Sequence, residues 1–224
     1  MNRLRYTLLT DGSSDRTLMN IINWLLNDIY PQLPCNGNFA DLRYLSSPPP
    51  VSNIIQRIKE AKNIYPYDIL FYHRDAEGFD KNIIKKRKDE IIGKVDAQIA
   101  SKIVCVVPIT MMETWLLIDR DAIKKAAGNR NFTGIIDLPA LSRLEYENDS
   151  KSLLHNVLLS TSGLKGRRKK TFNVHYAVHL VAENIKDYSP LRELSAFRDF
   201  ENDMKTAVDL FLNVDNHNNI ENNT

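Results

Sequence analysis

The chain reads as an α/β domain built on a mainly parallel sheet, with a helical extension at its C-terminal side. Three observations predict this. Short apolar runs at Tyr6–Thr10, Asp68–His73 and Ile103–Val107 have the length of buried strands. Segments with helical spacing lie between them, which is the alternation that gives parallel strands. After residue 120 no strong strand pattern occurs, and only helical patterns follow.

Taken in order, Tyr6–Thr10 ends at Asp11-Gly12, a turn signal. Ser14 or Asp15 can cap a helix whose apolar positions are Leu18, Ile21, Ile22 and Leu25. Leu42–Leu45 is a weaker strand pattern, stopped by Ser46-Ser47-Pro48-Pro49-Pro50, where proline breaks any regular element. Ser52 can cap a helix with Ile54, Ile55 and Ile58 on one face. A charged helix is predicted from about Lys81 to Ser101, and Pro108 stops the strand Ile103–Val107. Ser150–Ser160, Val174–Lys186 and Phe197–Leu212 fit helices. The predicted organisation is an α/β domain over 1–120, a helical extension over 121–212 and a flexible Asn-rich tail over 213–224.

Composition narrows the function. The 224 residues carry 30 Lys and Arg against 28 Asp and Glu, a net charge of +2. Binding by bulk positive charge is excluded, although a local basic patch is not. Cys35 and Cys105 stand far apart and in no zinc-like spacing. No apolar stretch approaches the ~20 residues that cross a bilayer, and no signal peptide opens the chain, so a cytoplasmic protein without membrane partners is expected.

Acids recur where a parallel sheet presents its carboxyl edge, the place where open α/β sheets bind ligands. Asp11 ends the first strand and Asp15 follows it. Asp75 and Glu77 follow the strand Ile69–His73, and Glu113 follows the strand that Pro108 stops. Gathered in one cleft, such carboxylates raise one another's pKa or need a cation. Mg²⁺ or Mn²⁺ suits oxygen donors and can activate water beside a phosphate. Simpler roles stand beside this one: Asp-Gly is a common turn, Asp15 can be only a cap, and Glu113 in the apolar run Met111–Ile118 can be a buried ion-pair member. His73 and Arg74 lead into the Asp75 segment; either could contact a phosphate, or His73 could be a core histidine bonded to backbone.

Lys165-Gly166-Arg167-Arg168-Lys169-Lys170 reads as a basic loop that can grip phosphates, or as a solvated surface. Lys85–Lys88 reads as an exposed helix face. His175 and His179, four apart on a helix, lack a third metal ligand nearby in sequence, which favours packing or surface roles. Tyr176 could stack on a base, although a lone aromatic usually packs.

The segment Leu9-Thr10-Asp11-Gly12-Ser13-Ser14-Asp15 resembles the first motif of the Toprim (topoisomerase–primase) fold. Asp75-Ala76-Glu77 resembles its second motif. Val107–Leu117, with Glu113-Thr114-Trp115-Leu116-Leu117, is similar to a bacterial branch of Toprim-like proteins, whose closing element Ser195–Glu201 also resembles. The resemblance implies a Toprim-like sheet and a divalent-metal-dependent nuclease, with a role in bacterial defence against phage. Asp11, Asp75 and Glu77 would be catalytic. Asp11, Asp15, Asp75, Glu77 and Glu113 would hold Mg²⁺ or Mn²⁺. Arg74, Lys165, Arg167, Arg168, Lys169 and Lys170 would bind nucleic acid. The family's first acid is usually Glu and the second motif usually ends in Asp; Asp11 and Glu77 depart from both. That departure leaves open whether Asp11 is catalytic or only a ligand. It also supports the alternative of a non-catalytic binding or regulatory subunit beside an ATPase partner. Phosphoryl transfer on a nucleotide is a third class, but no P-loop is present. The sequence leaves homo-oligomer formation open.

Overall fold

Four short apolar runs set the architecture, because strands buried on both faces need no alternation. In the computed structural model these are β1 (Leu4–Leu9), β2 (Cys35–Ala40), β3 (Ile69–His73) and β4 (Ile103–Val106). Residues 3–12, 14–79 and 82–221 are described, with side chains through Asn213. The strands form one sheet in the order β2-β1-β3-β4, with every pair parallel. β3 and β4 are buried along their whole length, whereas the edge strand β2 is polar and largely open.

The helices are α1 (Leu18–Ile29), α2 (Ile54–Ile64), α3 (Ile83–Ile92), α4 (Ala97–Ala100), α5 (Arg120–Ala126), α6 (Ser150–Thr161), α7 (Gly166–Lys170), α8 (Val174–Asn184) and α9 (Ser195–Glu221). α9 presents Phe197, Phe200, Met204, Ala207 and Val208 at helical spacing, all buried, and it packs against β4. There Trp115 stacks on Phe200 at 5.8 Å between ring centres and meets Phe197 edge-on at 5.3 Å. Phe71 of β3 meets Phe200 at 6.0 Å. α5, α6 and α8 pack on one another, and α8 also packs on α1 and on the 3-10 turn Ser14–Thr17. One hydrophobic core runs through both the sheet and the helical half.

Several local expectations are corrected. Leu42–Leu45 is not a strand: Leu42–Tyr44 is a 3-10 turn capped by Asp41, whose side chain accepts from the Arg43 amide. The strand at this edge is the polar β2, which burial pattern does not reveal. Tyr6 nevertheless requires it, because its ring occupies the space where a side chain at Gly37 would stand. The charged helix is two helices, since Gly93 ends α3 and Asp96 caps α4; Lys81 lies outside the described residues. Asn53, not Ser52, caps α2 by accepting from the Gln56 amide. Lys165–Lys170 is not a loop, because Gly166–Lys170 forms the short α7. Lys85–Lys88 is not simply solvated: Lys88 reaches Asp203 of α9 at 2.6 Å and Arg87 reaches Glu90 and Glu77. α9 continues to Glu221, through most of the expected tail, because extending a packed helix is far easier than nucleating one; residues 222–224 lie outside the described residues.

Candidate functional site

In this strand order the chain leaves β1 towards β2 on one side and returns to β3 on the other. The switch point, where the crevice of an open parallel sheet takes ligands, therefore lies beyond the carboxyl ends of β1 and β3. The register aligns Leu9 with both Ala40 and Tyr72, and His73 with Val106. Asp11 and Asp75, two residues beyond their strands, therefore emerge at this crevice.

The segment after β3 is held beside the segment after β4 by backbone bonds. Arg74, Ala76 and Glu77 amides donate to the carbonyls of Val106, Pro108 and Thr110 at 3.2, 3.0 and 3.2 Å. Glu77 and Thr110, the last bonded pair, both have left-handed backbones, with φ of 56° and 61°. That conformation costs a non-glycine residue roughly 1–2 kcal/mol, and is most unusual for a β-branched residue. Strain of this kind collects at functional sites.

His73, the last residue of β3, is 2% exposed. Its Nδ1 lies 3.0 Å from the Val106 carbonyl. A carbonyl only accepts, so Nδ1 carries hydrogen and the variable proton position is Nε2. Nε2 faces Asp75 Oδ1 at 3.5 Å and Asp15 Oδ2 at 3.8 Å. The core reading of His73, bonded to backbone, is what the structure shows at Nδ1, while Nε2 faces the acids.

The Met112 backbone amide lies near enough to the Asp75 carboxylate to favour its charged form. Burial pushes its pKa up to about 6, with the Asp15 and Glu113 carboxylates adding to the rise and His73 opposing it. Among the described residues its buried Oδ1 has no hydrogen-bond partner. Burial likewise raises the Glu113 carboxyl, with Asp15 adding to it. Asp15 does not cap α1. Its carboxylate accepts from the Gly12 amide at 3.1 Å and from the Ser14 hydroxyl at 3.1 Å, and so fixes the turn after β1.

Asp11 lies between two arginines. Arg57 Nη2 and Arg74 Nε approach its two oxygens at 3.4 Å each. Burial raises its pKa and outweighs both cations. Arg57 was not singled out from the sequence. It projects from α2 on the face of Ile54, Ile58 and Ala61, is 5% exposed, and donates to the Thr10 carbonyl at 2.6 Å. An arginine on an apolar helix stripe is the signal that marks it. From Asp11 the charges continue as a chain: Arg74 to Glu90 at 3.4 Å, Glu90 to Arg87 at 3.0 Å, Arg87 to Glu77 at 2.8 Å.

The structure thus brings together Asp11, Asp15, His73, Arg74, Asp75 and Glu113. Glu77 is directed elsewhere: it pairs with Arg87 and its side chain is 74% exposed. The basic residues Lys165, Arg167, Arg168, Lys169 and Lys170 are exposed on and beside α7, and the cavities bordering Asp11 and Glu113 are lined by other residues. Among the described residues, no three His, Cys, Asp or Glu side chains stand close enough to enclose a metal ion between them. Comparison of the chain with protein-family models, curated proteins and solved structures gives no match.

Proposed function

We propose that the protein is a divalent-metal-dependent phosphodiesterase acting on nucleic acid, of Toprim-like type, with its centre at the β1/β3 crevice. One observation carries this reading. Three carboxylates, Asp15, Asp75 and Glu113, act on one another at the sheet edge, opposed by His73 and, at Glu113, by Lys151, and among the described residues the buried Asp75 Oδ1 has no hydrogen-bond partner. An unpartnered buried carboxylate oxygen is costly and fits a site completed by a cation. The donors are hard oxygens, which suits Mg²⁺ or Mn²⁺ over zinc. Mg²⁺ keeps several of its waters and takes one or two direct carboxylates, so a tightly closed ligand cage is not required.

In this reading Asp75 would hold the ion directly, with Asp15 and Glu113 reaching it through its waters and Asp11 at its border. When bound, the ion would supply a more acidic water and charge to offset the phosphate. The chain's own residues do the rest. Arg74, anchored by Glu90, presents a guanidinium to a phosphate oxygen. Arg57 keeps Asp11 and the Thr10 carbonyl in place. His73, fixed by the Val106 carbonyl, can hold or pass a proton only at Nε2. Glu77 is left outside the centre and acts through Arg87 and Glu90 on Arg74.

A second reading rests on a different observation. Asp11 is already engaged by two arginines, which suits a binding or regulatory subunit whose first acid is structural. Mg²⁺ and Mn²⁺ binding by calorimetry, with and without an oligonucleotide, and cleavage assays on wild type and Asp75→Ala separate the two. Metal-dependent cleavage lost in Asp75→Ala supports the enzyme. Nucleic-acid binding without cleavage under either metal supports the subunit.

A further inference from the structure

A cavity of about 280 Å³ is bordered by Glu113. Its wall combines two helices of the C-terminal half with the turn after β1: Lys151 and His155 from α6, His175, Val178 and His179 from α8, and Ser14. The rings of His155 and His175 meet edge-on, with centres 5.3 Å apart. His175 and His179, without a companion in sequence, gain His155 and Lys151 only through the packing of α6 on α8.

This donor set is that of an anion site. Lys151 supplies the positive charge, the three imidazoles supply N–H donors, and Glu113 is the acid that borders it, while the Ser14 hydroxyl in the same wall already donates to Asp15. A metal is the obvious rival, but these residues do not gather closely enough to enclose one. His179 also borders a wide open groove, together with Arg16, Phe39, Tyr44, Tyr65 and Tyr176. Tyr44 and Tyr176 are 86% and 61% exposed there, and Arg16 lies over the Phe39 ring at 6.0 Å. Tyr176 is therefore one of several aromatics beside a cation, the composition that stacks nucleobases.

We propose that the histidine cavity seats a phosphate monoester and that the groove beyond His179 stacks the base attached to it. This deepens the nucleic-acid reading above by naming a phosphate-bearing strand end or nucleotide as the bound species. Its test is independent of that reading, because binding is measured on the full chain in EDTA, without divalent metal or cleavage.

Inorganic phosphate is titrated while the histidine ring signals are followed by NMR, assigned with single His→Gln variants. Thymidine monophosphate is titrated in the same way. The expected result is that His155, His175 and His179 shift together, and that Lys151→Gln, at an exposed position, weakens phosphate at least fivefold. The nucleotide should bind about tenfold more tightly than phosphate, with that margin lost in Tyr176→Ala. A 5′-phosphorylated octanucleotide binding more tightly than the mononucleotide identifies a strand end as the source; equal affinity identifies a free nucleotide. Absence of joint shifts, phosphate affinity unchanged in Lys151→Gln, or stoichiometric Zn²⁺ binding that excludes phosphate each overturns the proposal. Phosphate binding retained by Asp75→Ala, whatever its effect on cleavage, keeps this result separate from the fate of the metal centre.

Discussion

Two clusters of this molecule, each built around a buried glutamate, have opposite characters. At the junction of α1 and α9, Glu201 is 6% exposed. Burial alone would raise its carboxyl, but Lys205 and Arg192 outweigh that and hold it below the usual range. Lys205 lies 2.9 Å away, Arg192 lies 3.1 Å away, and Arg192 also reaches Asp28 at 2.6 Å. At the sheet edge Glu113 is equally buried, at 5%, yet its carboxyl is raised, as are those of Asp75 and Asp11. Burial is therefore not what separates them. The first cluster matches its acids with bases and serves cohesion. In the second, Arg57, Arg74 and Lys151 stand by the acids but do not outweigh their burial, so the carboxyls stay raised, a state common at functional sites.

The sharpest way to break this contrast is Asp75→Asn. If the raised carboxyls are there for chemistry, metal-dependent cleavage should fall at least about a hundredfold, as when a charge-stabilising group is lost. Retained cleavage would return the cluster to a structural role. Arg57→Leu comes next. It strips a buried cation from Asp11 and from the Thr10 carbonyl, and should lower stability by about 3 kcal/mol in urea unfolding. A change below ~1 kcal/mol would mean that the arginine is not needed to offset the burial of Asp11. Glu201→Gln should cost about 1–2 kcal/mol, because Arg192 keeps Asp28 as a partner.

The pH dependence has the most informative sign. Asp75 has its pKa raised from 3.8 to about 6, so the folded state binds its proton more tightly than the unfolded state. Its contribution to stability therefore declines as pH rises from about 4 to 6, by ~1–3 kcal/mol after solvent screening of a partly exposed side chain. Asp75→Asn should remove that decline and be neutral or stabilising at pH 7. Glu201 runs the other way: its contribution is present above the ordinary glutamate pKa and is lost as pH falls through the lowered folded value. Unfolding curves of the two variants between pH 4 and 7 should diverge in slope; parallel curves would refute the contrast.

Much of this was written in local pattern. The runs of β1, β3 and β4 are apolar because both faces are covered, and that is visible along the chain. The acids at strand ends were visible too, since a strand stop followed by Asp needs only neighbouring residues to be seen. Sequence also determined the buried stripe of α9 and the positions of Gly12, Pro108 and the 48–50 prolines as breaks. β2 was not legible, because an edge strand of Cys35-Asn36-Gly37-Asn38 carries no apolar period and is held by the β1 backbone and the Tyr6 ring. Long-range packing alone decided the rest. It turned Glu77 to Arg87 instead of to the acids, placed Arg57 from α2 against Asp11, and set His155 beside His175 across two helices. These are contacts between residues distant in the chain. Their energy depends on relative placement and burial, which no local spacing encodes.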